Sequence, residues 1–171
     1  ISNLIQKAGI SRASFYLYFE DKEDLLGCIA ESWVDVILRK LTEAFRVSDG
    51  SYYESMKLWM SQALENDISR EVWKVYKRVM EEEDFTRKSK MGALQFKASP
   101  KWRQVIEECY GHMDQSRYPG LTPEKLAYAV DMGLLAMVQL SMRYVEHYAP
   151  LAELKEAAWH QLTILDKGIR E

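Results

Sequence analysis

Arg12, Ser14 and Tyr16 put a guanidinium, a hydroxyl and a phenol within five residues of one another. Donors of this kind hydrogen-bond base edges and phosphate oxygens. Lys22 adds an ammonium a few residues later. The other constellations are thinner. Cys109 and His112 stand three apart and supply two metal ligands at best, where a zinc site needs three or four. Glu81-Glu82-Glu83-Asp84 reads as a solvated helix end rather than a cation site. His147 and His160 have no partner visible in the sequence. The chain carries no nucleophile elbow, phosphate-binding loop, dinucleotide fingerprint or zinc-binding helix motif. No enzyme activity, metal or cofactor is therefore expected.

The donors need a scaffold, and the first residues supply one. ISNLIQKAGISRASFYLYFEDKEDL reads as a short helix, a tight turn, a second short helix and the capped start of a third. That is the layout of a helix-turn-helix, whose second helix enters the DNA major groove. Gly9 sits where the turn needs an easily adopted left-handed residue. Ile10 follows as an apolar plug, and Ser11 caps the second helix, Arg12 to about Phe19. Leu4, Ile5 and Ala8 are expected to face Ile10, Phe15 and Phe19. Arg12, Ala13, Ser14 and Tyr16 are left on the outer side. Lys22 opens the next helix, whose N-terminal end suits a phosphate. Together with the cap, the DNA-facing set is Ser11, Arg12, Ala13, Ser14, Tyr16 and Lys22.

Charge speaks weakly against this assignment. The chain has net charge -3 with both signs interspersed. Its first 25 residues hold three bases (Lys7, Arg12, Lys22) and four acids (Glu20, Asp21, Glu23, Asp24), a net -1. The acids, however, follow the second helix instead of lying on it. Two cysteines cannot build a disulfide framework, and no secretory signal is visible. No run approaches eighteen uncharged apolar residues, so no membrane span is expected. A reducing cytoplasm is the simplest home.

The remaining sequence has helical spacing throughout, which predicts an all-α chain. A long helix runs from Lys22, capped by Asp21, to about Phe45, and Ser48-Asp49-Gly50 breaks it. Ser51 and Glu54 form a capping box for a helix ending near Asp67. Ser69 caps another that carries Trp73, Tyr76 and Met80. Pro100 opens a helix through Met113. Thr122-Pro123-Glu124 starts one that reaches about His147, and the last spans Leu151 to about Ile169. The boundary between the helix-turn-helix part and the larger helical part is expected inside the long helix after Lys22, which both would share.

The run AGISRASFYLYFEDKEDLL resembles the DNA-binding signature of the TetR family, the tetracycline-repressor-like transcription factors. In that family the same spacing of Ala-Gly-Val-Ser, then Tyr-x-Tyr-Phe, then Lys-Glu-x-Leu recurs. The resemblance covers residues 1 to about 30; the remainder agrees in helix number and order. It implies that Arg12, Ala13, Ser14 and Tyr16 approach bases and backbone, that Lys22 grips a phosphate, and that Tyr18 and Phe19 are core. It also implies a first helix upstream of Ile1. Two positions depart from the family: Leu17 stands where His is frequent, and Glu20 where Lys or Arg is.

The same resemblance implies a DNA-binding domain over 1–46, including the linking helix, and a ligand-sensing and dimerising helical domain over 47–171. Trp59, Met60, Trp73, Tyr76, Met80, Trp102, Tyr110 and Met113 offer adaptable apolar surface for a small organic effector. Plain core is the simpler reading of any one of them. Asp131, inside LAYAVDMGLLAMVQL, is a polar candidate that a cationic ligand or Arg143 would satisfy; an exposed position near the helix start is the plainer account. Ala129, Gly133, Ala136 and Leu140 put small residues on one side of the penultimate helix. Leu154, Ala158, Leu162 and Leu165 step along the last one like a bundle seam. Two copies would close a four-helix bundle and match a palindromic double-stranded operator. The expectation is a homodimeric repressor with no membrane contact. The rival is a helical small-molecule carrier or enzyme that keeps a vestigial DNA motif.

Overall fold

A computed structural model describes residues 1–64, 74, 99–146 and 149–171. Every regular element among them is a helix: α1 (Ser2–Ala8), α2 (Arg12–Tyr16), α3 (Lys22–Val47), α4 (Tyr52–Leu64), α5 (Pro100–Gly111), α6 (Pro123–Val145) and α7 (Leu151–Arg170). The starts follow local chemistry. The side chains of Ser11, Asp21, Ser99 and Thr122 each accept the backbone N–H three residues on. Pro100 and Pro123 occupy the first helical turn, where a missing N–H costs nothing.

α4 is the hub. It buries Tyr52, Ser55, Met56, Trp59, Met60 and Leu64 and packs against α3, α6 and α7. α5 joins the core by packing on α3 and α6. The second half of α3 enters this core through Leu38, Leu41, Ala44 and Phe45. Full burial of each of the leucines and the phenylalanine is worth about 1.5–3 kcal/mol. The described side chains of the first half of α3 are exposed or half-buried, and Leu25, Leu26 and Ile29 among them line a concavity with α1 and Phe15 of the helix-turn-helix. One helix of 26 residues, about 39 Å long at 1.5 Å per residue, thus belongs to both parts.

The break between α3 and α4 is clasped from outside. Asp49 and Gly50 have positive φ of 49° and 70°. Gly50 O accepts the Asp114 N–H at 3.1 Å, and Arg117 donates to Asp49 O at 3.1 Å. Beneath the clasp lies a polar cluster. The Tyr118 hydroxyl accepts the Tyr52 N–H at 3.0 Å and donates to Asp166 at 2.6 Å. Arg170 reaches the other Asp166 oxygen at 2.8 Å and lies over the Tyr118 ring.

The small residues of α6 serve this interior. A Cβ on Gly133 would meet Met56 Cε at 2.4 Å, so the Met56 side chain of α4 lies directly against the Gly133 backbone of α6. Ala129, Gly133 and Leu140 of α6 and Leu154, Ala158 and Leu162 of α7 are buried inside the chain. The expected dimer seam is thereby corrected: those six residues lie in the interior of the single chain, where α6, α7 and α4 pack on one another. Ala136 and Leu165 are half-buried at its edges. The large apolar residues that α6 and α7 leave outside are Tyr128, Met132, Leu135 and Ile164.

Candidate nucleic-acid interface

α1 ends in a Schellman turn. Gly9 adopts φ 65° and ψ 25°. Its N–H bonds Gln6 O, and the Ile10 N–H reaches back to Ile5 O at 3.2 Å. The turn delivers Ser11 to the head of α2, where its Oγ accepts the Ser14 N–H at 3.0 Å. The Ser11 and Ser14 hydroxyls also pair at 2.8 Å. α2 is therefore aimed by the turn and held by its cap.

Phe15 fixes which side of α2 faces in. It is 1% exposed, edge-on to Tyr16 with ring centroids 5.3 Å apart and tilted against Phe19 at 5.4 Å. Arg12, Ala13 and Tyr16 are exposed, and Ser14 is half-buried. The Arg12 guanidinium lies over the Tyr16 ring, 5.9 Å from its centroid, which orders two donor-bearing groups as one unit. Lys22 is exposed at the first position of α3. There Asp21 accepts the Asp24 N–H at 2.7 Å, while Asp24 accepts the Glu20 N–H at 3.0 Å. Asp21 and Asp24 are thus both engaged in hydrogen bonds at the start of the helix.

The sequence overestimated the inner face of this unit. Tyr18, expected in the core, is 79% exposed. The helical path ends at Leu17, and the following turn directs Phe19, not Tyr18, onto Phe15. Leu4 and Ile10 are also exposed and Ala8 lies outside; Ile5 and Phe15 are the buried pair. Leu4 lines an apolar concavity of about 580 Å³ with Ile1, Phe15, Leu25, Leu26 and Ile29. Leu17, one of the two positions that depart from the family pattern, is 79% exposed beside the donors.

The candidate effector residues divide. Trp59, Met60 and Met113 are buried in the main core, and the Trp59 indole donates to Ile37 O on α3 at 3.2 Å. Tyr110 is half-buried, its hydroxyl donating to Leu121 O at 3.2 Å. Asp131 is half-buried on α6. Trp73, Tyr76 and Met80 lie outside the described residues. Among the described residues no group of three or more His, Cys, Asp or Glu side chains is arranged to hold a metal ion. No described helix is long and apolar enough to cross a membrane.

Residues 1–28 match the family model described as bacterial regulatory proteins, tetR family. The match supports a TetR-family regulator. The matched segment takes in the turn at Gly9, the Ser11-capped helix and the opening of α3. The TetR-type helix-turn-helix is a DNA-binding unit, and helices follow it among the described residues. No curated protein and no solved structure matches the chain.

Proposed function

We propose that this TetR-type regulator is a homodimeric repressor that binds a palindromic operator and leaves it when a small, largely apolar molecule binds the helical region. One observation carries the DNA half of this reading. Phe15 anchors α2 from within while Arg12, Ala13 and Tyr16 stand exposed on the helix that Ser11 caps. Arg12 and Tyr16 supply the donors for bases and phosphates, and Lys22 a cation for the backbone.

α3 supplies the coupling. Its far half is embedded in the core, where the Trp59 indole bonds Ile37 O, and at the surface Lys101 pairs with Asp35. An effector that prefers one tilt of α3 moves the helix-turn-helix at the other end. Coupling of this kind is worth about 1–3 kcal/mol and comes from differential affinity alone. Trp59, Met60, Tyr110, Met113 and Asp131, with Trp73, Tyr76 and Met80, are the residues proposed to meet the effector. A second copy is assigned to the outer face of α6 and α7. Met132, Leu135, Ala136, Val138, Gln139 and Gln161 there line a concavity of about 490 Å³.

Fluorescence anisotropy with palindromic duplexes tests the reading. Saturable binding should weaken linearly in log–log form as salt rises. Arg12→Ala should weaken it at least tenfold, and Tyr16→Phe by a smaller factor. Affinity that is indifferent to both substitutions would remove the recognition helix from the proposal.

A further inference from the structure

The outward crown of α2 is apolar, and its donors lie on the flanks. A helix turns about 100° per residue. With Phe15 pointing inward, Ala13 and Leu17 each lie about 160° from it and so point straight out. Leu17 keeps helical dihedrals, φ -73° and ψ -25°, and its N–H bonds Ala13 O at 3.2 Å. It therefore sits one turn above Ala13 on the same ridge. Arg12 and Tyr16 occupy one flank, stacked on each other. Ser14 occupies the other, its hydroxyl tied to Ser11.

We propose that the Ala13–Leu17 ridge reads thymine C5 methyl groups in each operator half-site. The inference rests on the DNA-binding reading above and adds what the crown of the helix recognises. Neither side chain can hydrogen-bond a base edge or a phosphate. The floor of the major groove presents one apolar feature, the methyl group of thymine. A leucine 79% exposed beside the two stacked donors has its apolar surface removed from water when that methyl meets it. Arg12 and Ser14 then set register from the flanks, and Leu17 separates T·A from C·G at the position beneath it.

Deoxyuridine lacks only the methyl group, so it isolates this contact. Duplexes selected from a random-sequence pool by the full chain are remade with each thymine in turn replaced by deoxyuridine. At one thymine, repeated in both half-sites, the unmodified protein should bind about fourfold more weakly, the factor set by about 0.8 kcal/mol per buried methyl-sized group. Leu17→Ala should bind thymine and deoxyuridine duplexes equally, and should unfold at the same temperature as the parent. If every thymine can be replaced without loss, or if Leu17→Ala keeps the whole penalty, the ridge does not read methyl groups although the protein binds DNA. If the unmodified protein selects no duplex from the pool, the regulator reading falls and this inference with it.

Discussion

The Tyr118 hydroxyl donates to the Asp166 carboxylate at 2.6 Å across 48 residues of sequence. The same oxygen accepts the Tyr52 N–H at the start of α4. One phenol therefore ties the tail of α7 to the elbow that follows α3.

Tyr118→Phe keeps the ring and removes this tie. It leaves the Tyr52 N–H and one Asp166 oxygen without their partner in a buried place. The expected loss is about 1–3 kcal/mol of unfolding free energy, measured by urea titration. A loss near zero would mean that water replaces the hydroxyl.

Two glycines with similar backbone angles should respond differently to alanine. Gly9 has φ 65° and open space where a Cβ would go. Gly9→Ala should cost only the left-handed strain, about 1–2 kcal/mol. Gly50 has φ 70°, and its Cβ would meet the Asp114 backbone nitrogen at 2.6 Å. Gly50→Ala adds that clash and breaks the clasp, so it should lower the unfolding midpoint well beyond Gly9→Ala. Equal midpoints would contradict the clasp.

Cys109 is buried and Cys28 exposed. Burial, helped by the charge of Glu108, pushes the Cys109 thiol up to about 12 from an ordinary 9.0. A thiol reagent at neutral pH should titrate one cysteine in the native protein and two after denaturation. Below about pH 9 the thiol is protonated in both states and its contribution to stability is whole. As pH climbs from about 9 through about 12 the unfolded chain ionises first, so stability falls. Tyr118, raised by burial and then by its bond to Asp166, adds to the fall from about pH 10 upward. Cys109→Ala should flatten the early part of this slope in unfolding titrations run at successive pH values.

Met132 and Leu135 are 45% and 49% exposed on α6. Met132→Glu combined with Leu135→Glu should turn a dimer into a monomer by light scattering without lowering the melting temperature. Ala158→Glu should instead unfold the chain, because Ala158 is fully buried. A dimer that survives the paired change places the interface elsewhere.

Much of the local structure was legible because it is made by neighbours. Gly9, the caps at Ser11, Asp21 and Thr122, and the prolines at 100 and 123 act over three or four residues. The side of α2 that carries Arg12, Ala13 and Tyr16 followed from the position of Phe15 by helical geometry alone. The α7 seam was legible only in part. Its spacing suggested Leu165, yet Asp166 is buried and Leu165 half-buried. A carboxylate is disfavoured inside unless partners meet it, and those partners, Tyr118 and Arg170, come from a distant loop and the helix end.

The sequence by itself determined the caps and turns at which most of the described helices start, and that Arg12, Ala13 and Tyr16 stand outside on α2, since capping and turn chemistry are short-ranged. Only the tertiary structure decided what each helical face meets. It gave the Gly133 stripe to α4, turned Tyr18 outward and made Asp166 part of the interior. The reason is that burial depends on which elements arrive from far along the chain, and periodicity marks a face without naming its neighbour.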